Sequence, residues 1–166
     1  LDLRPYGGLP CVNAGIAGQQ YTAFLAVVPG LALAQMYDDY GSRLLEGNVR
    51  SFLALRGKVN KGIANTLRHE PGVFFAYNNG IVATVDGIDL QRDANGSVSL
   101  TRMNGLQIVN GGQTTASLYF TKKKYPEVDL SSVRVAAKII VMRVQDPAKE
   151  EALVSDISRF ANSQNA

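Results

Sequence analysis

The sequence predicts an α/β (mixed α+β) domain, a layered sheet carrying helices. Three observations predict it. Short apolar, β-branched runs are bounded by glycine and proline, as strands are. Apolar residues at helical spacing fall between those runs, and interleaving favours a layered domain over a sandwich or a bundle. The segment Gln107–Leu118 joins the two kinds of element through Asn110-Gly111-Gly112, in the order strand, tight turn, helix.

Residues 1–20 hold Pro5, Gly7, Gly8, Pro10, Gly15 and Gly18 and are expected to form an irregular lead-in. Residues 21–166 read as one domain with no internal repeat. Tyr21–Val28 is apolar, stops at Pro29-Gly30 and is expected as a buried strand. Leu31–Tyr40 places Leu33, Met36 and Tyr37 on one helical face, and Gly41 ends it. Asn48–Leu55 suggests a short helical turn. Ile63, Ala64 and Leu67 predict a helix over Asn60–Glu70 that Pro71-Gly72 stops. Val73–Tyr77 and Ile81–Val85 are rich in strand formers, and Asn78-Asn79-Gly80 between them signals a hairpin, with a bulge or a polar elbow as competing readings. Asp93-Ala94-Asn95-Gly96 is a surface turn leading into Ser97–Leu100. Val133–Val144 alternates as a long strand, and Pro147 opens a last helix striped by Leu153, Val154, Ile157 and Phe160.

Composition narrows the chemistry. The 166 residues, 46% hydrophobic and 19% charged, suffice for a core without disulfides or metals. A net charge of +3, from 17 basic and 14 acidic residues, is too small an excess to argue for nucleic acid by itself. The lone Cys11 forms no internal disulfide and fits a reducing, cytoplasmic setting. With His69 the only histidine, a Cys-His or Ser-His-Asp site and a zinc site are disfavoured. No apolar run approaches the roughly 18 residues that span a bilayer, so no membrane partner is expected. The start without methionine and the end inside Phe160–Ala166 suggest a piece of a longer protein, whose remaining regions are then its partners.

The central turn carries the clearest chemistry. Glycines allow backbone N–H groups close to a ligand, and a helix start presents unpaired donors at the positive end of its dipole. A capped turn with no ligand is the plainer reading of the same residues. Amides also gather at element ends: Asn48, Asn60, Asn78, Asn79, Asn110, Gln113, Asn162, Gln164 and Asn165. Singly, each caps a chain; in one cleft they read a base edge or a ribose. Arg50 and Lys61 each follow such an asparagine and are candidate phosphate partners. Lys122-Lys123-Lys124 reads as a solvated complement to the helix dipole, since no aromatic residue is interleaved in the run. Asp86 and Asp89 flank Gly87 in an expected turn and offer at most a weak magnesium site.

Five ordered segments carry a resemblance. Asn48–Leu53, Val59–Ile63, Phe75–Ile81, Gln107–Thr114 and Arg159–Asn165 together resemble the abortive infection phage resistance (AIPR) family of bacteria, over roughly residues 44 to 166. The resemblance implies a phage-defence context and supplies no defined reaction. More distantly, the strand, Asn110–Thr114 turn, helix, strand and final helix are similar to the ParB/sulfiredoxin-like superfamily. Its DndB-like branch has Asp-Gly-Gln-His-Arg at this turn, and members hold nucleotide phosphates there. Here Asn110 replaces the acid, and Thr114-Thr115 stand where basic residues are expected.

Three readings stay open. In the first, Asn110, Gly111, Gly112, Gln113, Thr114 and Thr115 bind a nucleotide or nucleic-acid phosphate, for instance a nucleoside triphosphate with magnesium. Gly111 and Gly112 give backbone approach, and Thr114 or Thr115 a hydroxyl cap. Asn78, Asn79, Asn162 and Asn165 line the site, with Arg50 and Lys61 supplying charge. In the second, the amides are structural caps and the domain is an interaction scaffold. In the third, a metal-dependent nuclease or nucleotidase uses Asp86 and Asp89. Whether the domain is an enzyme is not decided by its residues.

Overall fold

A computed structural model describes residues 1–16, 18–48 and 60–163. The apolar runs become strands β1 (Leu9–Asn13), β2 (Tyr21–Pro29), β3 (Ile81–Val85), β4 (Gly87–Arg92), β5 (Val98–Asn104), β6 (Gln107–Asn110) and β7 (Arg134–Met142). The helical stretches become α1 (Gly30–Tyr40), α2 (Lys61–His69), α3 (Phe74–Tyr77), α4 (Gly112–Lys124) and α5 (Pro147–Ser163). The fold is mixed α/β, as expected. The chain divides into two compact units, one collecting residues 1–26, 82–110 and 137 onward, the other 27–81 and 111–136.

The strands form one mixed sheet in the order β4-β5-β1-β2-β7-β3-β6. β7 is an interior strand, and Ile139, Ile140, Val141 and Met142 are all buried, which is what a strand covered on both faces requires. β4 and β5 pair antiparallel through the Asp93–Gly96 turn, where Gly96 takes φ 87° and its N–H donates to the Asp93 carbonyl at 2.9 Å. β6 lies at one edge of the sheet. Helix α5 packs beside it, and the Ser158 hydroxyl donates to the Val109 carbonyl at 3.4 Å. That contact occupies one acceptor of an edge strand open to unwanted pairing.

Two expectations need correction. The lead-in contains a strand: β1 pairs with β5 through Leu9 and Pro10 and with β2 through Cys11 to Asn13. Val73–Tyr77 is not a strand. Pro71-Gly72 opens a 3₁₀ turn that runs into α3, and the Asn78 N–H closes on the Phe74 carbonyl at 3.0 Å. Burial of the Phe74 ring anchors that helical turn against the strand preference of its neighbours. Asn78-Asn79-Gly80 is therefore a helix-to-strand elbow. The turn expected over Asn48–Leu55 falls outside the described residues apart from Asn48, which ends a 3₁₀ segment (Gly41–Asn48).

In the second unit α4 packs against α1 and α2. Its buried residues are Thr114, Thr115, Ala116, Ser117, Leu118 and Thr121, and all but Leu118 are small side chains that let neighbouring elements approach closely. The Tyr37 ring of α1 meets Tyr119 at 5.2 Å and Phe120 at 5.7 Å between centroids, within the range of favourable aromatic pairs.

Candidate functional site

The turn at the head of α4 is built by close backbone packing. Gly111 lies in the left-handed region (φ 85°, ψ 16°). A Cβ there would meet the Gly80 carbonyl oxygen at 2.5 Å and Ile81 Cγ2 at 2.8 Å. Only glycine tolerates both the dihedral and the contact. Gly111 is thus accounted for by packing within its own unit, and Gly112 opens the helix.

The N-cap of α4 is Gly111, which has no side chain to cap the helix, and no acid sits in its first turn. The neighbouring helices α1 and α2 also have no acid in their first turns. The Gly30 N–H at the head of α1 donates to the Val133 carbonyl at 2.7 Å, and Asn60 Oδ1 accepts from the Ile63 N–H of α2 at 3.0 Å. Thr114 and Thr115 do not provide the expected hydroxyl cap. Both are buried: Thr114 Oγ1 bonds the Asn78 side chain, and Thr115 Oγ1 donates back to the Gly111 carbonyl at 3.3 Å. Gln113 is exposed, Gly112 half-buried.

Asn78 is engaged at both ends of its amide. Its Oδ1 accepts from the Gly80 N–H at 2.8 Å, and its Nδ2 donates to Thr114 Oγ1 at 3.1 Å. The elbow and the helix head are thereby tied together. Asn79 is exposed and makes no hydrogen bond among the described residues.

The other candidates are placed as follows. Lys61 is exposed at the first position of α2, a helix start with no acid in its first turn. Its neighbour Asn60, absent from the expected phosphate site, caps α2, and the Asn60 N–H donates to Ser117 Oγ of α4 at 3.2 Å. The signal was an asparagine three residues before the first apolar helical position. Asn110 closes β6 opposite Val82, beside a register shift in β3, and Asn162 lies in the last turn of α5; both belong to the first unit. Arg50 and Asn165 lie outside the described residues. Within the second unit, then, the structure brings Asn78, Gly111 and Thr114 together.

Asp86 and Asp89 do not converge. Asp89 is in β4 beside Arg102 of β5 at 3.9 Å, whereas Asp86 precedes β4 and faces Glu150 of α5. No group of three His, Cys, Asp or Glu residues suited to a metal occurs among the described residues. Burial, and then the Asp86 carboxyl beside it, push Glu150 above its ordinary value of 4.5. The folded chain therefore holds this proton more tightly than the unfolded one, so its contribution to stability is full below about pH 4.5 and declines as pH rises past the elevated folded value. Melting temperatures of the wild type and Glu150→Gln across pH 4 to 7 check this: the variant should lose less stability on going to pH 7, and parallel profiles would refute the coupling. Cys11 is half-buried, and burial raises its thiol away from the reactive thiolate form.

The fold and this helix head define a mixed α/β domain with a glycine strand-to-helix turn. The chain belongs to the AIPR family: the family described as "AIPR protein" matches residues 45–166, more than half of its length. Membership supports a role in phage defence by abortive infection. No curated protein and no solved structure matches the chain. The more distant likeness to the ParB/sulfiredoxin-like superfamily finds no support in these comparisons. Among the described residues, no helix is long and apolar enough to cross a membrane.

Proposed function

We propose that this phage-defence domain binds the phosphate of a nucleotide or nucleic acid at the head of α4. The observation that carries the reading is the acid-free first turn of a 13-residue helix whose N-cap is a glycine, next to exposed Gln113 and Asn79. Backbone N–H groups at Gly112 and Gln113 are the donors, and the helix dipole favours the anion. Lys61, one residue from the Asn60–Ser117 link to α4, supplies positive charge. Binding acts as a switch and requires no turnover in this domain.

Gln113→Glu and Gly112→Val test the reading together in thermal-shift assays with the four ribonucleoside triphosphates and magnesium. An acid at the second helical position favours the dipole by about 0.3–1 kcal/mol, so Gln113→Glu should melt no lower than wild type. It should nonetheless lose any nucleotide-induced shift through repulsion of phosphate, and Gly112→Val should lose it through steric block. No shift with any nucleotide, or an equal shift in both variants, ends the proposal and leaves the interaction scaffold. The double engagement of the Asn78 amide is the observation favouring that second reading.

A further inference from the structure

We propose that the surface formed by the last turns of α2 and α4 binds the phosphodiester backbone of a nucleic-acid duplex. The first observation is charge distribution. Arg68 and His69 lie in the last turn of α2, and Lys122, Lys123 and Lys124 in the last turn of α4, so basic side chains concentrate at these two helix ends. The small net charge of the whole chain therefore conceals a local concentration of basic residues.

The second observation is how the cations are held. Among the described residues, the salt bridges Asp2–Arg4, Asp89–Arg102 and Asp156–Arg159 all lie in the first unit. In the second unit the cations at these helix ends, Arg68, Lys123 and Lys124, lie over tyrosine rings. Arg68 Cζ is 4.0 Å from the Tyr125 centroid, Lys124 Nζ is 5.4 Å from the same ring, and Lys123 Nζ is 5.7 Å from Tyr119. Tyr119 is in turn fixed against Tyr37 and Phe120. A carboxylate positions a cation and cancels its charge; a ring positions it and leaves the charge for a ligand. Arg68, Lys123 and Lys124 are exposed, and neither nearby acid, Glu70 or Glu127, forms an ion pair with them. Helix-dipole complementarity explains why basic residues occur at these two ends. It does not explain ring-held, unneutralised charge on both helices at one place.

Lys122 has a different duty. Its Nζ donates to the Pro126 carbonyl at 2.7 Å and also to the Val128 carbonyl, fixing the chain that leaves α4. Tyr125 already carries two cations, so it is poorly placed to stack a base as single-strand binding surfaces do. The surface suits a rigid line of phosphates. It is independent of the reading at the head of α4, from which it is separated by the length of that helix, about 18 Å at 1.5 Å per residue.

Fluorescence anisotropy with a short labelled DNA duplex, titrated between about 50 and 200 mM salt, tests the proposal. Binding should weaken with salt, with a logarithmic slope near −2.7 for three phosphate contacts. The triple variant Arg68→Gln/Lys123→Gln/Lys124→Gln should lose at least about tenfold in affinity and most of that slope, whereas Arg4→Gln keeps both. Should the triple variant fail to fold by circular dichroism, Lys123→Gln/Lys124→Gln replaces it, with an expected slope loss of about 1.8. The proposal is overturned by absent duplex binding at low salt or by unchanged affinity in the variants. Preference for a dT single strand or for anionic phospholipid vesicles over the duplex also overturns it.

Discussion

Gly80→Ala and Gly111→Ala should each destabilise the protein by roughly 3 kcal/mol, the sum of a left-handed residue forced to carry a Cβ and an overpacked contact. Gly80 takes φ 82°, and a Cβ there would collide with the Ala136 carbonyl oxygen; Gly111 takes φ 85° against Gly80 and Ile81. The obstacles are largely backbone atoms, which cannot swing aside as a long side chain can. Gly72→Ala is the control, because no atom lies within 4 Å of its added Cβ and its φ is not positive. That substitution should change stability by no more than about 0.5 kcal/mol. Urea denaturation of the three variants decides the matter. A Gly111→Ala midpoint equal to that of Gly72→Ala would mean that the contact with Gly80 and Ile81 relaxes freely. If the expected order holds, the two adjacent glycines divide their work: Gly111 packs the elbow, and Gly112 remains to admit a ligand.

Local signals made several elements legible. Ile81–Val85 has the same limits in sequence and structure, and the strand expected at Val133–Val144 is Arg134–Met142, because β-branched residues dominate both and turn residues flank them. Asn60 and Pro147 mark real helix starts for the reasons that capping chemistry provides. β1 was hidden because Pro10 argues against an interior strand. It is tolerated because β1 pairs with its two neighbours through different halves, Leu9–Pro10 with β5 and Cys11–Asn13 with β2. Those partners are distant in sequence, so no local pattern announces them. The face of α4 misleads in another way: Thr114, Thr115, Ser117 and Thr121 are polar by type yet buried among helices. Hydroxyls that look like ligand donors in sequence are partly spent on Asn78, Gly111 and Asn60 in the fold. The ring-held cations were equally unreadable, since Arg68 and Tyr125 lie 57 residues apart in the chain and meet only after α2 docks on α4.

Asn78→Ala should cost about 2 kcal/mol, because it strips partners from two buried groups at once. The Gly80 N–H loses its acceptor at 2.8 Å, and the Thr114 hydroxyl loses its side-chain partner at 3.1 Å. Thr114→Val removes the other half of the second bond at nearly constant shape and should cost about 1 kcal/mol. In a double-mutant cycle the pair should show a coupling of about 1 kcal/mol, since each loss already includes the shared bond. Additive costs in denaturation experiments would show that the bond contributes nothing measurable. The cycle also separates two meanings of an amide-rich motif. Asn78 is held by the fold, so its removal should lower stability and any nucleotide response together. Asn79 is exposed and makes no hydrogen bond among the described residues, so Asn79→Ala should leave the melting temperature nearly unchanged. A nucleotide response that weakens in Asn79→Ala at constant stability would place the ligand against the elbow. A response indifferent to Asn79 would confine it to the backbone donors of Gly112 and Gln113, leaving Asn78 and Asn79 to the architecture that sets the helix head in place.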